Sequence, residues 1–284
     1  MKRFFLILSL TFVFLLTNEQ SQAQFYYKDL IIHQGNLQQY QLHKNNRVQS
    51  ISINSFDDNG DKAEGFKFNQ QYNSSWSQLK TIAEIENSGR NVVINFYNSQ
   101  GLLYRTTDSS NGNYTVYEYG YDSLSRLIQI QNYTLAIGDK NRSSEMHNWF
   151  YDLQGKPEKM ERIRDKSDTM SYIFKKDSLG NISEEHGFQK KVPGEKTYYY
   201  YDAGNKLTDI VRYNKRSAKL IPDYMFDYDE KGMLRQMVNI PEGGGQSITW
   251  IYKYNEQGLK EEESCYLAQK KLAGRMAYQY VFKK

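Results

Sequence analysis

The chain has 284 residues, with 37 Lys or Arg against 33 Asp or Glu and a net charge of +4 at pH 7. Charges of both signs are mixed along the chain without a basic block, so the electrostatic pattern of a nucleic-acid-binding protein is absent. The single cysteine, Cys265, excludes an internal disulfide. The 25 Tyr and 14 Phe favour strands, and no helical period stands out after residue 24, so we expect no long helix.

The first 23 residues have the pattern of a cleavable signal peptide. Lys2 and Arg3 precede an apolar run at residues 4–16, and Ala23 offers a small residue at the cleavage point. The apolar run is shorter than the roughly 20 residues that a spanning helix needs. We therefore predict cleavage after Ala23, a secreted or periplasmic location, and no membrane span in the mature chain.

Residues 24–90 carry only a degenerate strand pattern. Residues 56–60 contain an Asp-x-x-Gly turn, residues 42–48 give a weaker turn around Asn46, and residues 87–90 resemble a further hairpin turn. We expect this region to continue the strand pattern as a cap, because repeat arrays need atypical terminal units.

Residues 91–284 are built from copies of one hairpin unit, seen most clearly at residues 197–213. In each copy, alternating aromatic residues lead to an Asp or Asn, which favours the first turn position, and a Gly three residues later accepts positive φ. Successive turn acids are 24 to 30 residues apart, which indicates one hairpin per repeat. The predicted turn positions are Asn98, Gly101, Asp122, Asp152, Gly155, Asp177, Gly180, Asp202, Asp229, Gly232, Asn255 and Gly258.

The aromatic residues before each turn are two positions apart, so they share one face of a strand. Neighbouring strands would then form a continuous aromatic stripe. Two interpretations are open. The stripe can be the buried core of a curved sheet, or, with Trp76, Trp149 and Trp250, an exposed platform for sugars.

The segments YDSLSRL at residues 121–127, YDAGNKL at 201–207 and YDEKGML at 228–234 resemble the YD repeats of the RHS-repeat family. The resemblance covers residues 91–266. It implies hairpins joined edge to edge into a spiralling sheet, which in long members closes into a shell around a cargo domain. This chain is far shorter and lacks a DPxGL-type self-cleavage segment, so we expect no self-released cargo, and the family repeat supplies no catalytic residue.

Together these patterns predict an all-β fold of consecutive antiparallel hairpins that form a long, curved or spiralling sheet. The predicted organisation is a signal peptide at 1–23, a degenerate N-terminal strand or cap region at 24–90, and YD-like hairpin repeats at 91–284.

No catalytic or metal-binding motif emerges. The histidines, His33, His43, His147 and His186, are isolated and lack zinc-ligand spacing. The acids at residues 57–61 resemble a calcium loop, but Lys62 and Phe68 stand at its sixth and twelfth positions, so a plain turn is favoured. Glu261, Glu262 and Glu263 alternate faces on a strand and leave no partnered pair. We predict no catalytic residue, no metal and no cofactor, and the ligand-binding residues are not identifiable.

The function that these patterns favour is a secreted, non-catalytic YD-repeat protein that serves as a scaffold or binding module for carbohydrate or a cell-surface protein. The alternatives are an exported enzyme with a loop-built, for example glycan-active, site and an outer-membrane β-barrel. Polar residues on both faces of predicted strands such as 129–133 and 207–213 argue against the barrel, because lipid requires a uniformly apolar band. The sequence does not predict an oligomeric state.

Overall fold

The computed structural model describes residues 25–86, 89–110, 112–136, 142–214, 218–241 and 245–284. The predicted signal peptide lies outside these ranges. The described residues form one α-helix, eighteen strands and a short 3-10 helix at Ala268–Lys270. The elements are α1 (Lys28–Asn45), β1 (Val48–Phe56), β2 (Phe66–Tyr72), β3 (Gln78–Ile85), β4 (Gly89–Tyr97), β5 (Leu103–Ser110), β6 (Asn113–Tyr121), β7 (Leu127–Ala136), β8 (Arg142–Tyr151), β9 (Pro157–Arg164), β10 (Asp168–Lys176), β11 (Ile182–Gln189), β12 (Val192–Tyr201), β13 (Leu207–Asn214), β14 (Lys219–Tyr228), β15 (Leu234–Asn239), β16 (Ile248–Tyr254), β17 (Lys260–Leu267) and β18 (Lys271–Phe282).

The strands form a closed barrel. Each strand pairs antiparallel with its neighbours in sequence, and β18 pairs back onto β1, with Ile53 opposite Tyr278. The predicted all-β fold of antiparallel hairpins is confirmed, but the predicted long, curved or spiralling sheet is wrong. A meander of this kind leaves two unpaired edges, β1 and β18, and pairing them with each other satisfies both rows of backbone groups.

The two ends of the barrel differ. One end, the turn rim, carries the short turns that follow β2, β4, β6, β8, β10, β12, β14 and β16; the other end, the loop rim, carries the remaining connections. At the turn rim, the side chain of Asp152 accepts the N–H groups of Gln154 at 3.0 Å and Lys156 at 2.8 Å. The residue three after each turn acid has positive φ: Gly101, Ser125, Gly155, Gly180, Asn205, Gly232 and Gly258.

The Tyr that precedes most turn acids links neighbouring hairpins. Its hydroxyl donates a hydrogen bond to the backbone carbonyl at the start of the strand that follows the previous turn. Such bonds join Tyr151 to Leu127, Tyr201 to Ile182, Tyr228 to Leu207, and Tyr254 to Leu234, at 2.6 to 2.9 Å. The recurring Tyr-Asp pair is therefore a structural unit, in which the Asp closes the turn of its own hairpin and the Tyr bonds that hairpin to the preceding one.

The aromatic stripe faces the interior of the barrel. Trp149, Tyr199 and Trp250 are each at most 5% exposed. Trp149 stacks on Phe174, with ring centroids 5.3 Å apart. Of the two interpretations, the buried core is the one that these side-chain positions support.

Helix α1 corrects the expectation that the chain has no long helix. Its N-terminal end contacts β11 through Tyr26, and its C-terminal end contacts β2 through His43. Strands β2 and β11 are nine positions apart in a ring of eighteen, so they lie on opposite walls. The helix therefore crosses the lumen, near the turn rim. Its one water-exposed stripe contains Gln34, Gln38 and Gln41.

Residues 24–90 were expected to continue the strand pattern. Their described part instead holds helix α1 and strands β1 to β3, together with the start of β4. These strands belong to the same closed sheet as the repeats. The turn expected at residues 87–90 falls between β3 and β4, where Ile85 pairs with Gly89, but residues 87 and 88 lie outside the described ranges.

Candidate functional site in the barrel lumen

Buried and half-buried charged side chains meet where the start of α1 contacts strands β8 to β12, a cluster that we call the helix anchor: Asp29, Glu145, His147, Arg162 and Glu185. At its centre, the carboxylate of Glu185 accepts the backbone N–H groups of Tyr26 at 2.8 Å and Tyr27 at 2.9 Å. It also accepts the hydroxyl of Tyr199 at 2.7 Å. These donors compensate a carboxylate that is only 2% exposed, and its negative charge suits the start of a helix.

The buried position of Glu185 makes its carboxyl a weaker acid. Burial raises the pKa of its carboxyl to about 7, although the N–H groups of Tyr27 and Tyr26 and the hydroxyl of Tyr199 act in the opposite direction. The anchor therefore contains a carboxyl group that titrates near neutral pH.

His147 forms the second part of the anchor. Its Nδ1 lies 2.6 Å from Oδ2 of Asp29 on the helix, and its Nε2 lies 2.9 Å from Oε1 of Glu145. Burial alone would lower the pKa of His147, but Asp29 and Glu145 together raise it to about 9. Burial likewise opposes the effect of His147 and Arg164 on Glu145, whose pKa falls to about 2. At neutral pH a charged imidazolium therefore joins the helix to the wall.

Arg162 completes the anchor from strand β9. It is 7% exposed, and its guanidinium lies 3.4 Å from the hydroxyl of Tyr26 and 2.7 Å from Asp168. The ring of Tyr26 also packs against Tyr172, with centroids 4.3 Å apart. The residues just before α1 are thus held by backbone, side-chain and ring contacts together.

The far end of the helix is held by aromatic and neutral polar contacts. Tyr40 stacks on Tyr97 with centroids 4.0 Å apart, and Nδ1 of His43 lies 3.0 Å from the hydroxyl of Tyr72. Burial lowers the pKa of both His43 and His33 to about 4. These two histidines are neutral at pH 7, in contrast to His147.

A small cavity lies beside this end of the helix. Among its lining residues are Gln39, His43, Gln70 and Asn95, and its volume for water-sized molecules is about 40 Å³. Since one water needs roughly 10 to 15 Å³ by this measure, the cavity holds a few waters and is too small for a sugar ring.

The arrangement suits attachment better than catalysis. Both ring nitrogens of His147 are engaged by carboxylates, so neither is available to take a proton from a substrate. Within the described ranges, no group of three or more His, Cys, Asp or Glu side chains could hold a metal ion. We therefore infer that the helix anchor fixes α1 across the lumen.

The residues singled out in the sequence have different positions in the structure. The turn positions all lie at the turn rim and do not converge on a site. His147 joins the helix anchor, His33 and His43 lie on α1, and His186 packs against Phe188. Asp57 closes an ordinary turn, in which its side chain accepts the N–H of Asn59. Glu263 is fully buried while its neighbour Glu262 lies on the outer wall.

Sequence reasoning missed Glu185, Asp29 and Arg162. One signal was available for Glu185, which is eight residues after its turn acid. The equivalent inward positions hold Ile130, Met160, Ile210 and Met237, and the other exceptions are Thr106 and Glu263. An acid in an otherwise apolar series marks a buried polar contact.

The outer wall carries charges in ordered rows. Glu262 lies between Lys253 and Arg275, at 2.9 and 3.1 Å. Glu184 lies between Lys175 and Lys196, at 3.1 Å from each. Each set spans three adjacent strands. In the described part of the chain, no helix is long and apolar enough to cross a membrane.

Comparisons with known proteins do not show a family for this chain. No family model matches the chain, and no curated protein does. The Tc holotoxin pore of Photorhabdus luminescens matches 76% of this chain at 13% identity with a TM-score of 0.35, and the match spans only 12% of that chain. A porin-like protein from Bacteroides uniformis matches 82% of this chain and 98% of its own length at 9% identity, with a TM-score of 0.39.

A second porin-like protein, from Bacteroides vulgatus, matches the same shares of both chains at 12% identity with a TM-score of 0.25. At these identities and scores the neighbours carry no argument about function. The closed barrel is the architecture that the outer-membrane alternative requires, whereas the open spiral of the main expectation is not what the chain forms.

Proposed function

We propose that the protein is an exported β-barrel of the cell envelope, closed by its own N-terminal helix and facing water, which acts as a non-catalytic binding or scaffold protein. The observation that carries this proposal is the fixation of α1 across the lumen by the helix anchor at one end and by Tyr40 and His43 at the other. A helix of about 10 to 12 Å diameter held across the lumen narrows any channel through the barrel.

The outer wall supports contact with water. Glu161, the fifth residue of β9, and Lys196, the fifth residue of β12, lie near mid-strand on the outer wall and would face the hydrocarbon of a bilayer if the wall were embedded. Lys or Arg on a lipid-facing strand costs roughly 2 to 4 kcal/mol at the bilayer midplane. Several such rows around one barrel make lipid an unfavourable solvent for this wall.

The ligand belongs to the outer surface in this proposal, because the lumen cavity beside α1 is too small for one. Carbohydrate or a cell-surface protein is the partner class that we propose, and an array of glycans probed with the purified protein tests the first of them. Membership of the RHS-repeat family is part of the same proposal, supported by the recurring turns and by the tyrosine links between hairpins.

An outer-membrane barrel is the second candidate, and closure of the sheet favours it. Closed barrels are the only β-structures that span membranes, and eighteen strands lie within the range of bacterial examples. The charged outer wall is the observation that ranks it second.

Extraction distinguishes the two candidates. We expect the exported chain to stay monodisperse in buffer without detergent, and a chain that stays dispersed only in detergent would support the membrane-embedded barrel. Replacing the pair Lys253 and Glu262 by leucine sharpens the test. A water-facing wall should become prone to aggregation, whereas a lipid-facing wall should become more stable.

A further inference from the structure

Three leucines project from the turn rim without cover from the rest of the chain. Leu124 is 71% exposed, Leu153 is 101% exposed and Leu179 is 70% exposed. They occupy the tips of three successive hairpins, β6–β7, β8–β9 and β10–β11. The tips on either side carry Gln100 and Gly204 instead, so the leucines form a separate apolar arc.

The spacing of the arc follows from the sheet. Adjacent strands lie about 4.8 Å apart, so successive tips are roughly 10 Å apart and the arc extends over about 20 Å. Each leucine stands on its own turn as a separate projection. This shape differs from a continuous apolar patch, which would suit a flat protein partner.

The turns that bear the leucines satisfy their own backbone groups. The N–H of Leu124 donates to Asp122 at 2.9 Å, and the N–H of Leu179 donates to Asp177 at 2.9 Å. In the turn between them, Gly155 donates to the carbonyl of Asp152 at 3.0 Å. Backbone that is hydrogen-bonded internally can enter an apolar medium without the cost of unpaired donors.

The carboxylates of two of these turns have cationic neighbours. Arg126 lies 2.6 Å from Asp122, and Lys176 contacts Asp152. Lys156 is exposed and reaches the next turn, close to Gly180. Long cationic side chains beside an apolar tip can extend toward phosphate groups while the tip enters a less polar layer.

We propose that Leu124, Leu153 and Leu179 insert into the headgroup region of a lipid bilayer and attach the barrel to a membrane surface by its turn rim. This inference rests on the proposed water-facing barrel, since an embedded barrel would need no such contact. A fluid bilayer accepts three separate projections at any spacing, whereas a protein would need three pockets at matching distances. The arc and its flanking cations together fit the layered polarity of a membrane interface.

Vesicle sedimentation tests the proposal with the full chain purified without detergent. We expect it to sediment with phosphatidylcholine vesicles, and to do so at high salt as well, because the contact is apolar. A variant with Leu124, Leu153 and Leu179 all replaced by serine should bind at least about tenfold more weakly. The matched control is Leu135→Ser, which changes a leucine that is 45% exposed near the loop rim and should leave binding unchanged.

Fluorescence gives an independent readout. Leu153→Trp should show a blue shift and quenching by brominated lipids when vesicles are added, and Leu135→Trp should show neither. Absence of vesicle binding by the wild-type chain, or equal binding by the triple serine variant, would overturn the proposal. So would a wild-type dimer that the triple variant converts to monomers without any vesicle binding. A chain that requires detergent to remain dispersed contradicts the proposed function itself, which the extraction experiment detects separately.

Discussion

Glu185 and Tyr26 are 159 positions apart in the chain, yet the carboxylate of Glu185 accepts the backbone N–H of Tyr26 at 2.8 Å inside the barrel. This contact determines where the N-terminal helix begins and which wall it meets. Tyr27, at the N-cap position of α1, makes no side-chain cap, so the cap is supplied by a strand from the other half of the chain.

Removing this carboxylate should loosen the helix. In Glu185→Ala, two backbone N–H groups and the hydroxyl of Tyr199 lose their acceptor in a dry site, which should cost about 2 to 4 kcal/mol of unfolding free energy. Denaturant titration measures the loss, and hydrogen exchange should locate it in α1. Glu184→Ala, on the outer wall, is the control and should cost less than about 1 kcal/mol. Equal losses would mean that Glu185 does not hold the helix.

The lumen should make stability depend on pH in a defined way. The pKa of His147 is raised to about 9, so its stabilising contribution is complete below about pH 6.5 and is lost as pH rises toward 9. The raised pKa of Glu185 also makes the free energy of unfolding fall as pH rises from about 4.5 to 7. The lowered pKa values of His33 and His43 act oppositely and reduce stability as pH falls from 6.5 to 4. We expect maximal stability near pH 6.5.

His147 dominates the window from pH 7 to 9, because His33 and His43 are already neutral and Glu185, with a pKa of about 7, has only the second half of its ionisation left. The wild-type protein should lose roughly 1 to 3 kcal/mol across this window. His147→Gln should start less stable and lose much less stability over the same range, since only Glu185 still titrates there. A wild-type profile that is flat from pH 7 to 9, measured by denaturant titration at constant ionic strength, would contradict a charged His147.

Two glycines offer a matched test of the contact between helix and turn rim. Gly101 and Gly60 have similar positive φ, +80° and +87°, so alanine is strained to a similar degree at both. A Cβ at Gly101 would lie 2.9 Å from the amide of Gln41 and 3.1 Å from the ring of Tyr40, whereas nothing lies within 4 Å at Gly60. Gly101→Ala should therefore cost about 1 to 3 kcal/mol more than Gly60→Ala. Equal melting temperatures would mean that the helix does not pack on this turn.

The direction of the aromatic stripe can be tested with two tyrosines from different repeats. Tyr252 is 7% exposed and Tyr200 is 46% exposed. Tyr252→Ala should leave a cavity and cost about 3 to 5 kcal/mol, while Tyr200→Ala should cost less than about 1 kcal/mol. Thermal unfolding of both variants decides the matter, and a reversed order would place the stripe on the outside.

Much of the local structure could be predicted from the sequence because it depends on neighbours in the chain. The Asp-x-x-Gly turns, the alternation of aromatic residues and the one-hairpin repeat all follow from short-range chemistry. The inward direction of Tyr252 could be inferred as well, since Ile251 and Lys253 leave its face the more apolar of the two.

Closure and the helix could not be predicted in the same way. Pairing of β1 with β18 depends on the total twist of eighteen strands, which no single repeat encodes. Helix α1 has few apolar residues and many glutamines, so its period is weak, and the contacts that stabilise it come from the barrel wall. Among the anchor residues, only Glu185 carried a sequence signal, as an acid at an inward position that is mainly apolar elsewhere.

The pairing of β1 with β18 also dictates an order of assembly. The guanidinium of Arg47 meets the carbonyl of Lys284, 237 positions later, just where helix and barrel join. A polypeptide synthesised from its N-terminus presents α1 first and β18 last. The barrel therefore closes long after the residues of α1 and β1 have been made. Until then two strand edges and the aromatic face stay open to unwanted pairing. The ring can close only after β18 has been made, and we expect the open chain to depend on a holding chaperone until then.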